Sequence, residues 1–348
     1  MDLRSHLLAG QAIPAHPLAL DANGRFSERH QRAITRYYLA AGAGGLAVGV
    51  HSTQFEIRLP QHGLFRPVLE LAARTFAEEQ RRTPRPVAMI AGICGLTPQA
   101  VAEAELAREL GYHAGLLSLG AWRDQSEAAI LDHCRCVART IPLVGFYLQP
   151  AVGGRVLPLS FWRQFAEIPE LVAIKIAPFN RYQTLDVVRA VIAAGRTDVA
   201  LYTGNDDTIV ADLLAPFTFT RDGQPVTRRI VGGLLGHWGV WTRNAVALLA
   251  EIKALGADAP LERTWLARAN AVTDMNAALF DPAHAFHGCI PGILEVLRRQ
   301  GLVPTNRCLN PREVLSPGQA EELTRVCREN PALIDDDFVA ANRDRWLA

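Results

Sequence analysis

Lys175 stands in LVAIKIAP, an apolar and β-branched run in which a solvated charge has no place. The chain has one other lysine, Lys253 in AEIKALGA, so arginine supplies the remaining 34 of its 36 basic residues. Lys253 reads as a solvated charge on the exposed face of a helix, whereas Lys175 is set among Val172, Ala173, Ile174 and Ile176. Loss of water there disfavours the ammonium form, and a neutral amine can attack a ketone to form an imine. The plainer reading is a lysine paired with a buried carboxylate, and no acidic residue lies within the run to supply one. Tyr147, in VGFYLQP, can pass a proton to and from a carbinolamine and a substrate hydroxyl, or serve as an amphipathic packing residue.

Two polar segments follow other apolar runs. In AVGVHSTQ, the successive amides around His51, Ser52 and Thr53, with two hydroxyls, form a cradle suited to a carboxylate, or simply a capping loop. In YTGNDDT, Asp206 and Asp207 can bind substrate hydroxyls or cap the next helix and favour its N-terminus. The six cysteines include no CxxC pair, and Cys134 and Cys136, two apart on a helix, point to different sides, so reduced thiols and no metal site are expected.

These residues fall at the ends of regularly repeated elements. Short apolar runs at Ala12–Leu20, Gly45–Val50, Pro86–Ala91, Ala114–Leu119, Leu143–Tyr147, Val172–Ile176, Val199–Thr203 and Arg229–Gly232 read as strands. Between and after them, Glu28–Ala41, Pro67–Arg81, Pro98–Leu110, Gln125–Arg139, Leu159–Glu167, Tyr182–Ala194, Asp206–Leu214 and Trp238–Leu255 carry helical periodicity. Eight strand–helix repeats over about 240 residues have the rhythm of an α/β (β/α)₈ TIM barrel, whose sites lie at the C-terminal ends of the strands. A doubly wound sheet is disfavoured, because no GxGxxG follows the first strand. Beyond the last pair, segments near 260–280, 284–300, 316–328 and 333–346 read as helices divided by prolines. The expected organisation is a barrel catalytic domain at 1–255 and a helical C-terminal subdomain at 256–348.

Composition narrows the function classes. With 348 residues, 49% hydrophobic and 20% charged, the chain can bury a core throughout. A net charge of +1 gives no general attraction to nucleic acid or anionic lipid. The first residues, MDLRSHLLAGQAIP, lack the h-region and cleavage site of a signal peptide, and no run reaches the length of a membrane helix, so a cytoplasmic location is expected.

The set of a hydroxyl loop after strand two, YxxP on strand five, a lone lysine on strand six, GxDD after strand seven and a Gly-rich strand eight (VGGLLG) resembles the dihydrodipicolinate synthase and N-acetylneuraminate lyase family of class I aldolases, over roughly residues 10–325. The resemblance implies a (β/α)₈ barrel with a helical C-terminal extension in a homo-oligomer, a homotetramer or a dimer. It implies an imine between Lys175 and pyruvate or another 2-oxo acid, proton relay by Tyr147, an aldehyde as the other partner, and no cofactor. The family's carboxylate loop G-[ST]-T-G-E aligns with Val50, His51, Ser52, Thr53 and Gln54; only Ser52 is conservative, and His51 replaces the relay hydroxyl with an imidazole that titrates near neutrality. The lysine-biosynthesis branch has a tyrosine where this chain has Trp122 and an arginine where it has Val152, which argues against dihydrodipicolinate synthesis. PAVGG is closer to the neuraminate lyase segment, and Gly204 with Asp206 and Asp207 matches that branch's site for sugar hydroxyls. Trp122, His237, Trp238 and Trp241 would make the site more aromatic where they face it, and are otherwise core. The expected reaction is reversible C–C cleavage or condensation of a 2-oxo acid. Dehydration or hydration with aldol cleavage of a sugar acid through the same imine, and a barrel that binds ligand without turnover, are the alternatives.

Overall fold

The computed structural model describes residues 1–256 and 259–348. Positions 257 and 258, inside the expected C-terminal subdomain, lie outside the described residues. In chain order the elements are α1 (Leu3–Leu8), β1 (Ala12–Pro14), α2 (Glu28–Ala41), β2 (Gly45–Val48), α3 (Phe65–Arg82), β3 (Ala88–Ile93), α4 (Thr97–Glu109), β4 (Ala114–Leu117), α5 (Glu127–Ala138), β5 (Leu143–Leu148), α6 (Leu159–Ala166), β6 (Leu171–Ala177), α7 (Arg181–Ala193), β7 (Ala200–Thr203) and α8 (Ile209–Leu214). A hairpin of β8 (Pro216–Arg221) and β9 (Gln224–Arg229) precedes β10 (Gly232–Leu235). Then come α9 (Thr242–Ala254), α10 (Thr264–Phe280), α11 (Cys289–Arg299), α12 (Gln319–Glu329) and α13 (Asp336–Leu347).

The strands other than the hairpin form one sheet in the order β1-β10-β7-β6-β5-β4-β3-β2. Its two ends meet: the Gly44 amide donates to Ala12 O (3.0 Å), the His16 amide donates to Ala47 O (2.8 Å), and Ala15 and Ala47 form a parallel bridge. The fold is therefore a (β/α)₈ TIM barrel followed by a helical extension. Its strands read as unbroken apolar runs because both faces are covered, one by the barrel interior and one by helices; all seven residues of β6 are buried.

Contacts group the chain into two compact units, Met1–Gln11 with Ala88–Leu234, and Ala12–Val87 with Leu235–Ala348. In the second of these, α10–α13 group with the first two barrel repeats. In that unit α13 packs on α2 through Tyr37, whose ring lies 5.5 Å from Trp346 and whose hydroxyl donates to Asp335 Oδ2 at 2.7 Å. In the other unit α6 turns Phe161, Trp162 and Phe165 onto the sheet while Arg163 and Gln164 stay exposed. The fit is close: a Cβ at Gly145 on β5 would lie 2.5 Å from the Phe165 ring.

Two strand expectations are corrected. Strand eight is Gly232–Leu235 rather than Arg229–Gly232, because Arg229 belongs to the hairpin. That hairpin turns at Asp222 (φ 51°) and Gly223 (φ 76°), the Asp-Gly pair that favours a two-residue turn, between alternating Phe217, Thr218, Phe219 and Thr220. Strand one ends at Pro14 rather than Leu20, as Pro14 and Pro17 lack the amide a longer ladder needs. No described helix is long and apolar enough to cross a membrane.

Candidate active site

Register decides which side chains share a face with Lys175. In the parallel ladders Phe146 on β5, Lys175 on β6 and Tyr202 on β7 are cross-strand partners, and Tyr202 pairs in turn with Gly232 on β10. Alternation along each strand adds Ala173 and Ala177 to the lysine's face and puts Ile174 and Ile176 on the other. Lys175 is 8% exposed, with Nζ 4.5 Å from the centroid of the Phe146 ring. A Cβ at Gly204, just past β7, would lie 2.6 Å from Lys175 Cε and 2.8 Å from Ala177 Cβ. Glycine at 204 and alanines at 173 and 177 thus leave the amine uncrowded on its own sheet. Tyr202 closes the N-terminal side, its hydroxyl donating to Leu7 O (2.8 Å) and accepting from the Gln11 amide (3.1 Å). Burial pushes that phenol far above its ordinary range.

Tyr147 is not on this face. It pairs with Ile176, so its side chain leaves the sheet on the helix-covered side, tilted against Trp162 at 4.9 Å. Its hydroxyl donates to Leu157 O and accepts from the Leu157 amide, both at 3.2 Å, and burial raises its pKa. The expected role of Tyr147 as a relay beside Lys175 is corrected: one residue of register separates the two, and a single step along a strand reverses the face.

The loop after β7 is held by residues that the sequence did not single out. Asp212 on α8, fully buried, accepts from Thr203 Oγ1 (2.7 Å) and Asn205 Nδ2 (2.9 Å) and pairs with Arg181 Nη1 at 2.8 Å. Asn205 also donates to Thr184 Oγ1 (3.1 Å) and accepts from the amide of Phe179 (2.9 Å), which has a left-handed φ of 51°. These bonds clamp the loop after β6 to the loop after β7, on either side of Gly204. The available signal was a carboxylate inside the apolar run IVADLL. Asp206 is buried and Asp207 half-buried; burial, followed by the neighbouring Asp212 charge, raises the Asp207 carboxyl.

Trp122 lies half-buried in the turn after β4, its indole donating to Gly95 O (3.2 Å) and its rings stacked on His133 at 4.4 Å. Arg155, from the loop after β5, donates to Trp122 O (3.3 Å) and Gln125 O (2.7 Å), so it joins the loops after strands four and five.

In the second unit, His51, Ser52 and Thr53 form a single 3₁₀ turn after β2. Thr53 is committed to that loop: its hydroxyl accepts from the Gly49 and Val50 amides (3.0 and 3.2 Å) and donates to His16 O (2.6 Å), and its own amide donates to Val50 O. The expectation that Thr53 cradles a carboxylate is corrected, for it has no hydroxyl proton or amide left to offer. Ser52 is buried, with Oγ 3.5 Å from where a Cβ at Gly236 would sit; His51 is half-buried, its ring 5.8 Å from Phe55. Gln54 then takes φ 68°, a strained conformation for a residue with a side chain. Trp238 and Trp241 are core, and His237, whose Nδ1 lies 3.2 Å from Asn276 Oδ1, is pushed down to about 4 by burial. Among the described residues no group of three or more His, Cys, Asp or Glu side chains is arranged to hold a metal ion.

Several solved structures share the fold defined by this sheet and extension. The chain is similar to the chloride-inhibited dihydrodipicolinate synthase from Acinetobacter baumannii complexed with pyruvate (TM-score 0.73, 18% identity, covering 93% of this chain and 99% of that one). It is similar to a monomeric dihydrodipicolinate synthase variant (0.72, 17%, 93% and 98%) and to N-acetylneuraminate lyase from Fusobacterium nucleatum (0.70, 16%, 94% and 100%). At these identities the likeness is one of fold. No protein-family model matches the sequence, and no curated protein matches it.

Proposed function

We propose that the protein is a Schiff-base lyase that cleaves or condenses a 2-oxo acid through Lys175, with the barrel at 1–255 as catalytic domain and 256–348 as helical subdomain. The observation that carries this reading is the buried Lys175 amine on a barrel strand, bordered on its own face by Ala173, Ala177 and Gly204. Two similar folds, a synthase complexed with pyruvate and an N-acetylneuraminate lyase, support the choice of a 2-oxo acid. Nζ attacks C2 of the keto acid, a C–N bond forms, and the ketone oxygen leaves as water. The C4 hydroxyl then gives up its proton, and the protonated imine accepts the electron pair of the C3–C4 bond as an aldehyde departs. The enamine takes up a proton at C3, and water hydrolyses the imine to release the shortened 2-oxo acid and the free amine; the reverse sequence is condensation.

Tyr147 has no part in these steps, its hydroxyl being held by the Leu157 backbone. Proton transfer is assigned to His51 and the substrate carboxylate to Ser52, with Asp206 and Asp207 for substrate hydroxyls and Trp122 as a wall of the loops after strands three to five. Pyruvate consumption across a panel of aldehydes, and pyruvate release from 2-oxo sugar acids, test the reading. Turnover with at least one pair, abolished in Lys175→Ala, is expected; turnover undiminished in Lys175→Ala, or none with any pair, contradicts it.

A further inference from the structure

A cavity of about 630 Å³ lies wholly within the second compact unit, where α2, α3 and α13 converge. It is lined by Arg36, Arg82, Arg85 and Arg345, by Glu79 and by Trp346, among others. Glu79 is shared, 3.0 Å from Arg82 Nη1 and 3.5 Å from Arg36 Nε. Arg85 is anchored by donating to Leu39 O (2.8 Å) and Ala43 O (2.7 Å), and Arg36 by donating from Nη1 to Trp346 O (2.7 Å). Arg36 Nε is enclosed and faces Glu79 without a hydrogen bond of good geometry. Four cations against one carboxylate leave the pocket electropositive, and two of the cations are pre-positioned by backbone carbonyls. Arg36 and Arg85 supply fixed positive charge, while the exposed guanidinium forks of Arg82 and Arg345 suit capture of a carboxylate or phosphate. The volume falls in the range of small-molecule sites.

We propose that this cavity binds a small organic anion bearing phosphate or carboxylate groups. Gly42, in the loop leading into β2, and Thr83, in the loop leading into β3, border it. Substrates of this fold bind where strands end rather than where they begin, so the ligand is an effector or stabiliser, not a reactant. The proposal is independent of the imine chemistry, and so is its test.

Titration calorimetry with pyrophosphate, AMP and citrate, at ionic strength held constant with chloride, is the experiment. Saturable binding of at least one anion is expected, weakened about 10-fold in Arg82→Ala and in Arg345→Ala and less in Arg82→Lys. Both residues are exposed, so unfolding midpoints without ligand should match wild type. Preference for pyrophosphate or AMP identifies a phosphate ligand, and preference for citrate a polycarboxylate. Absence of binding above the chloride blank for all three, or binding unchanged in both alanine variants, overturns the proposal.

Discussion

Gly204→Ala puts one methyl group against the amine-bearing side chain. The added carbon would sit 2.6 Å from Lys175 Cε, 3.0 Å from Lys175 Cγ and 2.8 Å from Ala177 Cβ. Carbon–carbon contacts relax only near 3.5 Å, so about 1 Å must be recovered. Ala177 is fixed in β6, so most of the shift falls on the lysine. Overpacking of this kind costs roughly 1–3 kcal/mol of stability, and misplacing a nucleophile by about 1 Å slows its step about 100-fold. The assay is the rate of pyruvate adduct formation, quenched with borohydride at timed intervals and read by intact mass, beside urea unfolding. Gly145→Ala is the control, because its new Cβ meets Phe165 at 2.5 Å on the opposite face of the sheet. It should lose comparable stability and keep a trapping rate close to wild type. Wild-type trapping and stability in Gly204→Ala, or equal slowing in both variants, would refute the reasoning from facing side chains.

Tyr147→Phe removes only the bonds to Leu157; a stability loss of about 1 kcal/mol with an unaltered trapping rate is expected, whereas a loss of about 100-fold or more in rate would show that the hydroxyl relays protons after all. Thr53→Val strands the Gly49 and Val50 amides and the His16 carbonyl and should cost about 1–3 kcal/mol in urea unfolding; unchanged stability would free Thr53 for ligand. His16 and His237 are both held at about 4 by burial, below the ordinary 6.5, so between those values the unfolded chain binds protons that the folded chain refuses. Their penalty is absent above about pH 6.5 and grows as pH falls toward 4, by up to roughly 3 kcal/mol each. Comparing wild type with His237→Gln in urea at about pH 7 and pH 5 isolates this from Asp212 and Asp335, whose raised pKa values act in the opposite sense. Equal pH slopes in the two proteins would contradict it.

Lys175 was legible because a charge inside an unbroken β-branched run has few explanations, and α2 because its periodic apolar stripe ends at Gly42 in a left-handed cap. Tyr147 was legible as a strand-end residue, but its face was not, since facing follows from pairing with the neighbouring strand and one step of register inverts it. The commitment of Thr53 depends on His16, 37 residues upstream, a neighbour no local pattern reveals. The hairpin at 216–229 did carry a local signal in Asp222–Gly223, masked by the eightfold strand–helix rhythm around it. The clamp of Asn205, Asp212, Arg181 and Thr184 joins the loop after β7 to two helices, α7 and α8, so it emerges only when the strands are laid side by side.

The claim on which the functional account rests is a covalent bond to Lys175. Incubation with pyruvate or other 2-oxo acids, borohydride reduction and intact-mass analysis with peptide mapping measures it directly. The account predicts a single reduced adduct on the peptide that contains Lys175, absent in Lys175→Ala and undiminished in Tyr147→Phe. No adduct with any 2-oxo acid on the wild-type protein, or an adduct that persists in Lys175→Ala, would contradict it.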